Sequence, residues 1–277
     1  MIITVVGLGV IGGSYIKALH GLGHQVYGVD LDQKTLDQAK NDGYIIDGFQ
    51  DASKICYKSD LTMICLYPSL ILEFIKNTTF KPGSIVSDAV GVKSHFIEEA
   101  RKNLPNDVEL LSGHPMAGRE KKGYSYASKE VFKNANYIIV QDHQNKVESI
   151  ALLEKLIQDM GFKSIKILNP VEHDEIISFT SQLPHALAVA LINSDDQKYD
   201  TGRFIGDSYR DLTRIANINE DLWSELFLNN KDNLLVAMNQ FEQQFDALKL
   251  AIQNNDEEAL KQYFIQSTKR REQLEHK

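Results

Sequence analysis

Cysteine is scarce in this sequence: only Cys56 and Cys65 occur among 277 residues. No CxxC pair or histidine cluster accompanies them, which argues against both a zinc site and a disulfide framework. We therefore predict no metal site. Cys65 lies within the apolar run 61–66 and is predicted to be a small buried hydrophobic side chain.

Long apolar runs and an excess of positive charge are also missing. No run reaches the roughly eighteen residues that cross a bilayer, and the apolar run 2–6 follows Met1 without the pattern of a signal peptide. The formal net charge of −8 disfavours a general nucleic-acid binder, which presents a basic face. We therefore predict a cytoplasmic protein with neither a membrane nor nucleic acid as a partner.

The first 169 residues show a regular alternation of segments. Short apolar runs, predicted as strands, occur at 2–6, 25–29, 61–66, 84–87, 108–111, 137–140 and 164–167. Amphipathic segments separate most of them, which is typical of βαβ units and a mostly parallel sheet. After Asn169-Pro170 no convincing strand remains, and helices are predicted at 171–193, 204–216, 220–229, 232–253 and 256–275. We predict an α/β domain at 1–169 and an all-helical domain at 170–277.

A glycine-rich motif connects the first predicted strand to an amphipathic helix. It reads Gly7-Leu8-Gly9-Val10-Ile11-Gly12, the G-x-G-x-x-G pattern of dinucleotide-binding Rossmann units. In this pattern Gly7 allows the tight turn, Gly9 lets the backbone approach the pyrophosphate, and Gly12 lets helix and strand pack closely. We therefore predict that 1–169 is a Rossmann-type domain.

An acidic residue, Asp30, follows the second predicted strand directly. A carboxylate at this position accepts hydrogen bonds from the adenosine ribose hydroxyls, and it repels a 2′-phosphate. No arginine follows in 31–34 to bind such a phosphate. The sequence therefore favours NAD over NADP as the cofactor. The alternative is that the glycines serve packing alone and that Asp30 caps the strand.

The segment 113–118, Gly-His-Pro-Met-Ala-Gly, follows the predicted strand 108–111 and is predicted to be a loop. In open α/β sheets, ligands bind beyond the carboxyl ends of the strands, so His114 is expected to face the cofactor cleft. Histidine exchanges a proton near neutral pH, which makes His114 a candidate acid–base residue. The alternative is a histidine that only caps a turn.

Four polar residues recur at helical spacing at the start of the second predicted domain. Asp174, Ser178, Ser181 and His185 fall on nearly one face of a helix. Such a face either lines a polar cleft or is satisfied inside the protein. We expect internal bonding for Asp174 and Ser178 and ligand contact for His185. Pro184 is expected to kink the helix.

Two arginines stand one helical turn apart, at Arg210 and Arg214, and Asp211 lies between them. Arginine binds carboxylates bidentately, so we predict Arg214 as a clamp for a substrate carboxylate. Asp211 is placed to orient the guanidinium of Arg214. The alternative is an exposed ladder of ion pairs, which stays open for Arg210.

These motifs, in this order, resemble the prephenate/arogenate dehydrogenase family of tyrosine biosynthesis. They are Gly7-Leu8-Gly9-Val10-Ile11-Gly12-Gly13-Ser14, Asp88-Ala89-Val90-Gly91-Val92-Lys93, Gly113-His114-Pro115-Met116-Ala117-Gly118, Leu183-Pro184-His185, and Asp211-Leu212-Thr213-Arg214-Ile215-Ala216 with Trp223. The resemblance covers nearly the whole chain. It implies oxidative decarboxylation of prephenate to 4-hydroxyphenylpyruvate with reduction of NAD. It also implies a homodimer formed by the helical domain, in agreement with the almost wholly apolar stretch 183–192.

The resemblance also implies roles for individual residues. His114 takes the proton of the substrate hydroxyl, and Arg214, oriented by Asp211, binds a substrate carboxylate. The other predicted substrate-binding residues are Gly91, Gln182, Trp223 and His185, the last of which is also predicted to be catalytic. Beside the glycine motif, the predicted cofactor-binding residues are Asp30, Leu66 and Asp88.

Two positions depart from the family pattern. Many members carry serine where this chain has Gly91, so His114 requires another orienting group, such as backbone or water. Many also carry histidine where this chain has Gln182, which leaves the choice between prephenate and arogenate open. Two other classes stay as alternatives: an oxidoreductase like the β-hydroxyacid dehydrogenases or pyrroline-carboxylate reductases, and a non-catalytic NAD sensor.

Overall fold

A computed structural model describes residues 1–118 and 121–275. The chain divides into two compact units, Met1–Asn230 and Lys231–Lys277. This division does not coincide with the predicted boundary near residue 169. The reason is that residues beyond 169 bond to the α/β part, as Asp174 does to Lys93 and Glu225 does to Ser69.

The first unit contains a parallel sheet of six strands. They are β1 (Ile2–Val6), β2 (Gln25–Val29), β3 (Asp47–Phe49), β4 (Leu61–Ile64), β5 (Ile85–Asp88) and β6 (Glu109–Leu110). Their order across the sheet is β3-β2-β1-β4-β5-β6, and every neighbouring pair is parallel. Strand β1 is buried on both faces, because Ile3 and Val5 enter one hydrophobic core and Val6 enters the other. This burial explains the mostly apolar sequence of β1, in which the one polar residue, Thr4, bonds to Ser59.

Helices alternate with these strands. They are α1 (Val10–Leu19), α2 (Gln33–Asn41), α3 (Pro68–Asn77) and α4 (Ser94–Asn103). The direction in which strands are added reverses between β1 and β4. In open α/β sheets, ligands bind at such a switch point, in the crevice beyond the carboxyl ends of the strands. The predicted α/β fold class with its Rossmann-type sheet is confirmed; β3 is a strand that the sequence patterns did not indicate.

A second, three-stranded sheet corrects the prediction for 113–118. Its strands are β7 (Ser112–Met116), β8 (Asn136–Val140) and β9 (Ser164–Leu168), and α5 (Val147–Asp159) joins the last two. Strand β7 runs antiparallel to β8, and β8 runs parallel to β9. His114 therefore lies within an edge strand and not in a loop. The prediction was wrong because glycine and proline are turn signals, whereas Pro115 is tolerated on an edge strand.

The part of the first unit after residue 169 is helical, as predicted. Its helices are α6 (Pro170–Ile177), α7 (Leu183–Asn193), α8 (Asp207–Thr213) and α9 (Glu220–Asn229). A π-helical stretch, Ser178–Gln182, connects α6 to α7 just before Pro184, where the α-helical pattern was expected to be disturbed. By length and composition alone, the continuous helix Pro170–Asn193 is apolar enough to cross a membrane, with a mean hydropathy of 1.3 over an 18-residue window. Polar residues interrupt it, so it contains no uninterrupted apolar run of eighteen residues, in agreement with the sequence. Its buried His173 and Asp174 are hydrogen-bonded inside the unit.

The second unit consists of two helices, α10 (Lys231–Gln253) and α11 (Glu257–Glu275). They pack against each other, and Asn255 adopts a left-handed conformation in the connection between them, with φ of 50°. Both helices agree with the predicted segments 232–253 and 256–275.

Candidate active site

The glycine motif forms a cradle at the amino end of α1. Gly7 has φ of +81°, a conformation that favours glycine, and a Cβ on Gly12 would stand 1.9 Å from the carbonyl oxygen of Gly7. At Gly9, by contrast, a Cβ would meet no described atom within 4 Å beyond its chain neighbours. Gly12 therefore serves close packing, whereas Gly9 borders open space at the positive end of the α1 dipole. That combination fits the pyrophosphate of a dinucleotide.

Asp30 is hydrogen-bonded directly to the backbone of this cradle. Its carboxylate accepts the backbone N–H of Leu8 at 2.7 Å through one oxygen and that of Asp32 at 2.9 Å through the other. Each carboxylate oxygen has two lone pairs, so each retains capacity for a ribose hydroxyl. Leu66, just after β4, borders the cradle, because its Cδ2 atom would lie 2.8 Å from a Cβ on Gly7. The residues present therefore fit an adenine dinucleotide.

His114 stands near the carboxyl end of β5, where Gly91 comes close to its ring. A Cβ on Gly91 would lie 3.6 Å from Nε2 of His114 and 3.3 Å from Cδ2 of Leu226. The Nε2 edge of the ring thus faces the segment that follows β5. Burial, followed by the neighbouring His173 and Lys93, lowers the pKa of His114 well below its ordinary value. The imidazole is therefore neutral at pH 7 and has one nitrogen able to accept a proton.

The other nitrogen of His114 contacts a histidine from the helical part of the unit. Nδ1 of His114 lies 2.9 Å from Nε2 of His173, and Nδ1 of His173 lies 2.8 Å from the Asp174 carboxylate. That carboxylate also accepts the backbone N–H groups of Lys93 and Ser94, each at 2.8 Å, at the start of α4. The orienting group for His114 is therefore a side chain, and not the backbone or water expected from the sequence.

The Asp88 side chain, predicted to contact the cofactor, lies instead in a buried polar network. Its side chain has no exposed surface and bonds to Nζ of Lys93 at 2.5 Å and to the hydroxyl of Ser112. Lys93 Nζ also donates to the carbonyl of Gly113 at 2.7 Å. Burial lowers the pKa of Lys93, and the Asp88 carboxylate opposes that shift. Asp88 and Lys93 thus hold β7 through Ser112 and Gly113, next to His114, and we assign the Asp88 side chain this structural role.

His185 and Trp223 come together as one aromatic wall. Their rings stack with centroids 3.7 Å apart, and Trp223 makes an edge contact with Phe227. Nδ1–H of His185 donates to the carbonyl of Ser181 at 2.8 Å, which directs Nε2 to the opposite side of the ring. Both residues are half-buried, which suits side chains that line a pocket.

Gln182 is not available to a substrate. It is 1% exposed, its amide nitrogen donates to the carbonyl of Leu226, and its amide oxygen accepts from Asn230. We therefore revise its predicted substrate contact to a structural one, bracing the helix that carries Leu226 and Trp223. Asn230 also donates to the carbonyl of Asp174, so Gln182 and Asp174 are tied to the same end of α9.

The arginine segment lies at the end of α8. Arg210 forms an exposed ion pair with Asp207 at 3.0 Å, which is the surface alternative left open for it. Arg214 begins a short 3-10 turn, 214–216, and this turn packs against α7, the helix of His185. Asp211 is exposed in the preceding turn of α8. Its orienting role toward Arg214 stays a prediction.

Several residues of this region were not predicted from the sequence patterns. His173, Lys93 and Ser112 belong to the buried network, and Tyr67 and Ser69, at the start of α3, bond to the helical part. The hydroxyl of Tyr67 accepts from Asn219 at 2.8 Å, and the backbone and hydroxyl of Ser69 both donate to Glu225. The adjacent pair His173-Asp174 was the one available signal, because a buried imidazole beside a carboxylate implies a hydrogen bond.

A dinucleotide cradle after β1 and a neutral histidine beside the segment that follows β5 together define a dinucleotide-dependent dehydrogenase. Comparison with known families narrows this class. The model of the prephenate dehydrogenase nucleotide-binding domain matches residues 13–166, and that of the prephenate dehydrogenase dimerization domain matches residues 169–266. The two matches together cover most of the chain, so the chain belongs to the prephenate dehydrogenase family.

Individual relatives agree with this assignment. The chain is 29% identical over 281 residues to a prephenate dehydrogenase of Lactococcus lactis subsp. cremoris (strain MG1363), covering 99% of this chain and 77% of that protein. The crystal structure of prephenate dehydrogenase from A. aeolicus, in complex with hydroxyphenyl propionate and NAD+, has a TM-score of 0.89 at 26% identity and covers 99% of this chain and 98% of its own. Synechocystis arogenate dehydrogenase has a TM-score of 0.85 at 27% identity, with coverages of 99% and 100%.

Proposed function

We propose that this protein catalyses the NAD-dependent oxidative decarboxylation of prephenate to 4-hydroxyphenylpyruvate, in tyrosine biosynthesis. The observation that carries the proposal is the position of His114, whose Nε2 edge faces Gly91 in the segment that follows the carboxyl end of β5, where open α/β sheets bind ligands. The match of both family domains over this chain supports it. The residues of the cradle, 7–12, together with Asp30 and Leu66, would hold the cofactor.

The proposed chemistry requires one proton acceptor. The bound cofactor supplies a hydride acceptor for the hydrogen on the ring carbon that bears the hydroxyl. His114 accepts the hydroxyl proton at Nε2 as that carbon becomes a carbonyl. The bond from the ring to its carboxylate then breaks, and its electron pair completes the aromatic ring as CO2 leaves. The resulting phenolate oxygen faces the protonated His114, which returns the proton.

The substrate-binding residues follow from the same proposal. Arg214 would bind a substrate carboxylate bidentately, oriented by Asp211. The stacked rings of His185 and Trp223 would form a wall of the pocket, and Gly91 would lie beside the substrate hydroxyl. His185, whose Nδ1–H is bonded to Ser181, would also accept a hydrogen bond at Nε2 from the substrate side chain. No role in the chemistry is given to Asp88 or Gln182, whose side chains are engaged inside the protein.

Arogenate is the second candidate substrate, favoured by the similarity to Synechocystis arogenate dehydrogenase. The deciding measurement is kcat/KM for prephenate and for arogenate, each with NAD and with NADP, from the absorbance of the reduced cofactor. We expect the highest value for prephenate with NAD, since the Asp30 carboxylate repels a 2′-phosphate. A higher value for arogenate would establish the alternative. If the folded protein reduces NAD with neither prephenate nor arogenate, both candidate substrates are refuted.

The role of His114 has its own test. Asparagine at this position has no basic nitrogen, so His114→Asn is expected to lower kcat by about 10²- to 10⁴-fold. The Kd for NAD, measured by titration calorimetry, should stay close to the wild-type value, because the cradle is formed by other residues. Full activity of this variant would contradict the proton transfer.

We also propose an organisation for the whole chain. Residues 1–169 would form the NAD-binding domain and residues 170–277 the substrate and dimerisation domain, as supported by family matches at 13–166 and 169–266. The protein would act as a cytoplasmic homodimer.

A further inference from the structure

We propose that His173 and Asp174 are positioning residues that hold His114 in one tautomer, protonated at Nδ1, so that the lone pair of Nε2 faces the substrate. This inference rests on the proposed function only for the identity of the substrate. The arrangement of the three side chains stands on the geometry alone.

The first step concerns the Asp174 carboxylate. It lies at the start of α4, where it accepts the backbone N–H groups of Lys93 and Ser94 at 2.8 Å each. Burial by itself would raise the pKa of Asp174, but hydrogen bonds from His173 and Ser94 outweigh burial and hold this pKa below its usual value. The group is therefore ionised at pH 7 and acts only as an acceptor.

The second step assigns the protons on the two imidazoles. Since the carboxylate only accepts, Nδ1 of His173 carries the hydrogen in the 2.8 Å contact with Asp174. Burial lowers the pKa of His173 despite the nearby Asp174, so its ring is neutral and its Nε2 is an acceptor. The 2.9 Å contact with His114 then requires a hydrogen on Nδ1 of His114. The unprotonated nitrogen of His114 is consequently Nε2, beside Gly91.

The third step concerns the charge that develops during the reaction. When His114 accepts a proton at Nε2, its Nδ1–H donates to a neutral nitrogen of His173, which in turn donates to an anion. Two other charged groups act on these three hydrogen-bonded side chains. Lys93 lowers the pKa of both histidines, and Asp88 raises that of His173. Neither His173 nor Asp174 takes up this proton, so the two partners act by orientation and by charge stabilisation.

A pair of variants at His173 separates this role from simple packing. His173→Gln keeps a hydrogen-bond acceptor near the Nε2 position, whereas His173→Phe keeps a ring of similar volume without one. For the Phe variant we expect kcat with prephenate to fall by about 10- to 100-fold, while KM for NAD is unchanged. The Gln variant should exceed the Phe variant by about tenfold in kcat, which is the worth of one hydrogen bond.

Ser178→Ala provides the matched control. Ser178 is 4% exposed on the same continuous helix and bonds only to the carbonyl of Glu175 in the described contacts, so its loss should leave kcat and KM unchanged. Thermal unfolding of all variants reports whether each one is folded. Equal kcat values for folded Gln and Phe variants would overturn the inference, as would a wild-type kcat in the Phe variant.

A second measurement needs no substrate. Nitrogen-15 NMR of histidine-labelled wild-type protein distinguishes protonated from unprotonated ring nitrogens, with His114→Asn used to assign the signals. We expect a protonated Nδ1 and an unprotonated Nε2 for both His114 and His173 at pH 7.5. A protonated Nε2 on His114 would overturn the inference. If the tautomers are as expected but prephenate is not oxidised, the proposed function fails and the positioning of His114 does not.

Discussion

At the scale of single residues, the site is defined by where each polar group is anchored. Nε2 of His114 faces Gly91, and every other polar contact of its ring leads inward, to His173 and then to Asp174. The absence of a serine hydroxyl at position 91 therefore removes a neighbour of the reacting atoms and leaves the orientation of the histidine intact. The effect of a hydroxyl at position 91 can therefore be measured without changing the orientation of His114.

Gly91→Ser is expected to raise kcat with prephenate by about three- to tenfold, the worth of one added hydrogen bond to the substrate hydroxyl. The new Cβ would stand 3.3 Å from the flexible end of Leu226, which has to move by only a few tenths of an ångström. Steady-state kinetics of Gly91→Ser and of Gly91→Ala, which adds the Cβ alone, provide the check. An equal gain in the alanine variant would show that the hydroxyl is not responsible.

Arg214→Ala tests the proposed carboxylate clamp. A charged bidentate hydrogen bond is worth more than a neutral one, so KM for prephenate should rise by about 10- to 100-fold, with little change in KM for NAD. Arg210→Ala is the matched control, because Arg210 forms an exposed ion pair with Asp207 and is expected to have little effect. Equal losses of affinity for both ligands in Arg214→Ala would indicate a structural role.

At the scale of elements, the sequence predicts those parts that depend on local signals. Strand β1, the glycine turn, helix α1 and Asp30 follow one another within thirty residues, and all were found where they were predicted. Strand β7 was missed because its pairing partner, β8, begins at Asn136, and such non-local pairing has no local signature. The contact of His114 with His173 spans 59 positions, and it depends on the same long-range packing.

Helix α3 shows how an element of the sheet domain depends on the helical part. Glu225 of α9 accepts the backbone N–H of Ser69 at 3.0 Å and its hydroxyl at 2.8 Å, in the first turn of α3. Glu225→Ala removes this cap, so we expect the free energy of unfolding to fall by about 1 kcal/mol in urea denaturation. Ser224→Ala, the exposed neighbour, is the control. An unchanged midpoint for Glu225→Ala would show that the contact contributes no stability.

At the scale of the whole molecule, apolar surface is concentrated on α10 and α11. The exposed apolar side chains there, each at least 37% exposed, are Leu235, Val236, Met238, Phe241, Phe245, Leu250, Ile252, Phe264, Ile265 and Leu274. Apolar patches of this kind mark interfaces between proteins. The similarity of this region to a dimerization domain makes a second copy of the chain the expected partner.

The pair Phe241 and Phe245 offers the sharpest test of that dimer. Their rings stack at 6.0 Å on one face of α10, and buried aromatic pairs are typical anchors of interfaces. Wild-type protein should sediment at about twice 31.3 kDa, whereas the double variant Phe241→Asp, Phe245→Asp should sediment as a monomer, because two buried carboxylates would lack partners. Val147→Asp, which alters a side chain that is 76% exposed on α5, is expected to remain dimeric. A folded double variant that stays dimeric would place the interface elsewhere.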